Sequence, residues 1–74
     1  MPKLNPISGK KLAKILKGLG FKAIRVKGSH HYFHHSDGRN TTVPIHSNEE
    51  VATGTLRAIL SDVKLSVEEY NKLR

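Results

Sequence analysis

The sequence predicts a small α+β domain: a three-stranded antiparallel sheet with both main helices on one face. Two amphipathic stripes at helical spacing flank a middle third rich in β-formers, and two turn signals, Gly28-Ser29 and Ser36-Asp37-Gly38, divide that middle into three strands. Each helix has one apolar face to bury, and one side of a shared sheet is the economical place for both.

The elements follow in chain order. Met1 to Ile7 carries two prolines and reads as a short arm. Ser8 is suited to cap a helix whose Leu12, Ile15, Leu16 and Leu19 fall at i, i+3, i+4 and i+7. Lys10, Lys14 and Lys17 take the opposite face, Lys11 its flank, and Gly20 stands where a helix C-cap belongs. Phe21 to Lys27 reads as a first strand, with Ile24 and Val26 two apart. The histidine-rich stretch from His30 is the second, and Asn40 to Ile45 the third. Pro44 lacks an N–H, which puts it at an edge or at the strand's end. His46-Ser47-Asn48 leads out as loop. Leu56, Ile59, Leu60 and Val63 mark the second helix, with Thr53 or Thr55 as its cap. Ser66-Val67-Glu68-Glu69 is a capping box, flanked by Leu65 and Tyr70 as a hydrophobic staple, and starts a short C-terminal helix. The order α-β-β-β-α, plus that last helix, is double-stranded-RNA-binding-domain-like, and one domain accounts for residues 1–74.

Composition narrows the function. The 74-residue chain has no cysteine, so neither a disulfide nor a thiolate nucleophile is available; this fits a reducing cytoplasm. No apolar run approaches the roughly 20 residues of a membrane span, and the start lacks a signal-peptide core. A soluble, cytoplasmic protein without membrane partners is expected. Thirteen Lys and Arg against six Asp and Glu give a net charge of +7. Such an excess suits a polyanionic partner, nucleic acid above all, although a charged surface also keeps a small protein soluble.

Four of the five histidines fall within residues 30–35. Strand alternation puts His30, Tyr32 and His34 on one face and His31, Phe33 and His35 on the other. Phe33, wholly apolar, belongs toward the helices, which sends His30, Tyr32 and His34 to the open face. Loop length decides whether this holds. A two-residue Asp37-Gly38 loop sets Phe33 opposite Thr42, whereas one residue more, with a glycine bulge, buries Phe33 and Val43 together. The longer loop is preferred because it hides both.

Three chemistries suit these histidines. Metal binding is one, with ligands at i, i+2 and His46 as a further donor, but the spacing fits no zinc pattern. A structural role is another, expected of His31 and His35. The third is acid–base catalysis on RNA, whose 2′-hydroxyl is a built-in nucleophile beside each phosphodiester. An imidazole, titrating near pH 6.5, can take that proton, and lysine or arginine can stabilise the developing charge. A non-catalytic RNA-binding module is the alternative.

Lys27-Gly28-Ser29-His30-His31-Tyr32-Phe33, His35-Ser36-Asp37-Gly38-Arg39, Thr42-Val43-Pro44-Ile45-His46 and Gly54-Thr55-Leu56-Arg57-Ala58-Ile59-Leu60 together resemble the HicA (YcfA-like) toxin family. The likeness runs from the first helix to about Leu65. It implies a toxin of a type II toxin–antitoxin system: an mRNA interferase that cleaves mRNA, inhibits translation and is neutralised by a HicB-type antitoxin. The family's essential histidine follows the glycine-serine pair, which places it at His30, with His31 as second choice. Ser36, often proline in relatives, is a mild departure within a turn.

Chemistry suggests the other roles. Lys27 and Arg25 are the first candidates for phosphate contacts, with Lys22 and Arg39 behind them. Gly28 permits a tight turn or a close approach of RNA, Ser29 can hydrogen-bond a phosphate, and Tyr32 can stack on a base. His34, lysine or water is the candidate general acid. The antitoxin is expected to cover the basic face around His30, its carboxylates meeting Lys27 and Arg25. Nothing in the sequence requires a metal or cofactor. The oligomeric state of the free toxin is left open, a monomer included.

Overall fold

The structure, a computed structural model, describes residues 3–74. Its order is α1 (Gly9–Gly18), β1 (Lys22–Lys27), β2 (His30–His34), β3 (Asn40–Pro44), α2 (Thr53–Asp62) and α3 (Val67–Leu73), with one antiparallel sheet ordered β1-β2-β3. The expected α+β architecture is present. Both strand turns lie where the glycines predict them.

The helix ends show why these segments stop where they do. Ser8 accepts the Lys11 N–H at 3.3 Å and opens α1. At the other end Gly20 turns left-handed (φ 98°), and the Gly20 and Phe21 N–H groups donate to the Lys17 and Leu16 carbonyls. That pair of bonds is a Schellman motif, and it carries Phe21 and Leu16 together into the core. α2 ends the same way without a glycine: Lys64 takes φ 56°, with Lys64 N–H to the Ser61 carbonyl and Leu65 N–H to the Leu60 carbonyl. Its start corrects the sequence reading. Ala52 is the N-cap and makes no side-chain cap bond, so neither Thr53, already the first helical residue, nor Thr55 fills that role. α3 has the capping box in full, Ser66 and Glu69 each bonding the other's backbone N–H at 3.0 Å. The Ser66 N–H holds the Glu69 carboxyl below its ordinary pKa.

Between β2 and β3 the longer loop is the one adopted. His35 N–H donates to the Arg39 carbonyl and Gly38 N–H to the His35 carbonyl, each at 2.9 Å, with Gly38 at φ 100°. This is a three-residue loop closed by a glycine bulge. Phe33 therefore faces Thr41 and His31 faces Val43. Phe33 and Val43 are both buried, packed with Leu12, Leu16, Leu56 and Ile59 from the helices. Buried Thr41 donates to Asp62 at 3.1 Å, which satisfies its hydroxyl. Pro44 sits at the end of the outer strand β3, where a missing N–H costs no ladder bond.

The expected arm is anchored over residues 3–7; Met1 and Pro2 lie outside the described residues. Ile7 is buried, its carbonyl accepts the Val51 N–H at 2.9 Å, and Ser8 bridges Glu50. Asn5 pairs with Asn71 at 2.9 Å, Arg74 donates to the Pro6 carbonyl at 3.1 Å, and the Tyr70 hydroxyl donates to the Asn5 carbonyl.

Tyr70 is fully buried, and that burial pushes its phenol pKa above the ordinary 10.0. A raised folded value means the folded chain holds the proton more tightly than the unfolded one. This contribution is whole below about pH 10 and is lost as pH rises through the folded value. Thermal unfolding followed from pH 8 to 12 is expected to show a fall at the alkaline end. Tyr70→Phe should flatten the fall, and should cost about 1 kcal/mol at neutral pH for the lost hydrogen bond.

Candidate functional site

The site grows from two local irregularities of the β1–β2 hairpin. The first is its two-residue turn. Gly28 has φ 59°, Ser29 does not share the left-handed region, and glycine at the first loop position is the pattern of a type II′ turn. A side chain at position 28 would be strained there. The turn delivers His30 to the first position of β2, directly paired with Lys27 on one side and Pro44 on the other. The Ile45 N–H to Ser29 carbonyl bond, 2.8 Å, ties the turn to the third strand.

The second irregularity is a bulge in β1. Lys22 pairs with His34 and Ala23 with Phe33, yet the next pairs are Arg25 with Tyr32, Val26 with His31 and Lys27 with His30. Ile24 is the extra residue. Directly paired residues share a face, so the shift gathers Lys22, Arg25 and Lys27 with His30, Tyr32 and His34 on the side away from Phe33. Strict alternation would have set Lys22 against Arg25 and Lys27. The alternation of Ile24 and Val26 does not mark a buried face: they are 64% and 58% exposed.

The open face has three cross-strand rows. At one end Lys27, His30 and Pro44 lie side by side, with His30 exposed. In the middle come Arg25, Tyr32 and Thr42; the Arg25 guanidinium stands 5.6 Å from the centre of the Tyr32 ring, a cation–π contact. At the far end are Lys22, His34 and Asn40. There Asn40 donates to the Gly38 carbonyl at 3.2 Å, which turns its oxygen toward His34 Nδ1, 2.6 Å away. That oxygen can only accept, so His34 donates to it from Nδ1. Sequence reasoning missed the Asn40 contact, because it depends on the hairpin register.

The remaining candidates have other surroundings. His31 lies on the helix side, half-buried between Val26 and Val43. His35 packs edge-on against Phe21, ring centres 5.0 Å apart. Its Nδ1 accepts the Asp37 N–H and its Nε2 meets the Leu19 carbonyl, both at 3.1 Å, as the structural reading expected. Arg39 lies apart from the open face: its guanidinium covers the Phe21 ring at 5.0 Å, binds Asp37 at 2.8 Å and reaches the Val63 carbonyl. The Arg39 backbone N–H, first, and then its side chain hold the Asp37 carboxyl below the ordinary range. Arg39 thus joins the hairpin loop to the end of α2, a long-range role with no local sequence signal. Among the described residues no three His, Asp or Glu side chains gather to hold a metal ion, and no helix is long and apolar enough to cross a membrane.

A search among curated proteins finds no match to this chain. The family model described as the HicA toxin of bacterial toxin–antitoxin systems matches residues 9–65, from the first residue of α1 to the residue before the α3 cap, and so takes in the whole open face. The chain belongs to the HicA toxin family.

Proposed function

We propose that the chain is an endoribonuclease of the mRNA-interferase kind, with His30 as its acid–base residue, neutralised by a HicB-type antitoxin. One observation carries the reading: the exposed His30 imidazole shares a face with Lys27, Arg25 and Lys22, and a lysine is its direct cross-strand neighbour.

RNA lies across the open face with a phosphodiester at the Lys27–His30 row. His30 takes the proton of the 2′-hydroxyl as its oxygen attacks phosphorus. Lys27 and Arg25 stabilise the charge gathering on the phosphoryl oxygens. The bond to the 5′-oxygen breaks, and that oxygen takes up a proton, leaving a 2′,3′-cyclic phosphate and a 5′-hydroxyl. His31 is the weaker candidate for this role, since its ring lies on the helix side. His34 shares the face, but it lies four residue steps along the strand from His30, about 13 Å of backbone. One phosphodiester does not span that distance, so His34 and Lys22 contact a neighbouring part of the RNA and do not supply the general acid. Tyr32, between the rows, offers a stacking surface on which Arg25 already rests.

The test is growth and mRNA integrity in cells after induced expression of the wild type and His30→Ala at matched levels. Arrest with cut mRNA in the wild type alone supports the nuclease and its histidine together. Cutting by both moves the assignment to His31 or His34. Cutting by neither makes the chain a non-catalytic RNA-binding module. An oligonucleotide carrying a single 2′-deoxy at the cut site should resist cleavage, because the nucleophile is missing.

A further inference from the structure

β1 is the least covered element of the fold. It is an outer strand of the sheet, and all six of its residues are exposed. The helices pack on β3, so Val26 is open even though its partner His31 lies on the helix side. Ile24 and Val26 are two of the three large exposed hydrophobics among the described residues. Arg25 stands between them, and Lys27 follows Val26.

The chemistry of this edge selects its occupant. An outer strand presents a row of unpaired N–H and C=O groups, which another peptide strand can satisfy and RNA, with no matching ladder, cannot. Exposed isoleucine and valine likewise favour a polypeptide over a phosphate backbone. A second copy of this chain is a poor fit, because edge-to-edge pairing would set cation against cation. A segment of apolar residues interleaved with Asp and Glu complements both features. Membership of a toxin–antitoxin family supplies a protein to carry it.

We propose that the outer edge of β1 is the docking strand for an extended acidic segment of the cognate antitoxin, which adds to the sheet as a fourth strand. Its apolar side chains cover Ile24 and Val26, and its carboxylates meet Arg25 and Lys27. The added strand takes the cations that RNA needs, Lys27 beside His30 among them. This rests on the toxin reading for the identity of the partner.

The experiment uses the full chain and its purified cognate antitoxin. Ile24→Asn/Val26→Asn changes exposed side chains without altering charge, and lies outside the residues assigned to RNA. The double variant is expected to bind the antitoxin about 30-fold more weakly, with RNA cleavage by the free toxin within about twofold of the parent. Hydrogen exchange on the wild-type complex is expected to slow at β1 amides, and this reports strand addition even if the variant folds poorly. Unchanged affinity in the double variant, protection confined to another surface such as the α1–α3 groove around Ile15 and Leu73, or a wild-type dimer abolished by the double substitution would each overturn the proposal. The two readings fail separately. A toxin that cuts RNA but stays silenced after the double substitution removes the docking strand and keeps the nuclease. A chain that cuts nothing yet loses antitoxin binding on substitution does the reverse.

Discussion

Replacing His30 with alanine is expected to lower the RNA cleavage rate by about 10²–10⁴-fold, the usual worth of a positioned acid–base group. The fold should hardly notice. His30 is exposed at the head of β2, outside the buried cluster, and surface changes of this kind fall within about 0.5 kcal/mol. Single-turnover cleavage of a defined RNA, paired with thermal melts of both proteins, separates the two effects. Binding of the uncleaved RNA should survive, because Lys27, Arg25 and Lys22 remain in place. A loss of binding as large as the loss of rate would make His30 a contact residue and return the acid–base role to the other histidines.

Three residues further along the same strand, the opposite balance is expected. Phe33→Ala empties a side chain that is 1% exposed and packed between α1, α2 and β3, and should cost about 3–5 kcal/mol. A chain of this size has only about 4–11 kcal/mol in total, so the variant sits at or past the edge of unfolding. Urea denaturation should show a midpoint moved sharply down, or no folded baseline at all. Tyr32→Ala, its neighbour on the open face, should be far milder by the same measurement. A β strand divides labour between its faces in this way, and comparing the pair tests the assigned register directly. A one-residue slip would exchange the two outcomes.

Much of this arrangement can be read from local chemistry. The two helical stripes, the Ser8 cap and the Ser66–Glu69 box each lie within a few residues of their partners, and each is present as expected. The hairpin register was decided by a burial argument, that Phe33 and Val43 must both be hidden, and the three-residue loop satisfies it. The unread features share a physical cause. The bulge at Ile24 has no glycine or proline to announce it, since any residue can be the extra one. Lys64 takes a left-handed turn that glycine would normally signal, because the Schellman bonds and the buried Leu60 and Val63 before it outweigh its strain. The segment up to Ile7 reads as a short arm because its anchors, Val51 on Ile7 and residues 70–74 on Asn5 and Pro6, are far away in the chain. Arg39 looked free for phosphate until Phe21, Asp37 and Val63 were brought around it. Short-range signals were legible; contacts that exist only after folding were not.

The bulge also bears on how relatives should be compared. Because Ile24 is the surplus residue of its strand, it is the one position in β1 whose deletion would leave every other side chain on its present face: Lys22, Arg25 and Lys27 outward, Ala23 and Val26 toward the helices. A relative one residue shorter here would keep the same cationic face. The gap in its alignment belongs opposite Ile24, even where matching hydrophobic letters would pull it elsewhere. Such a deletion would make the outer edge regular, and a regular edge accepts another strand more readily than a bulged one.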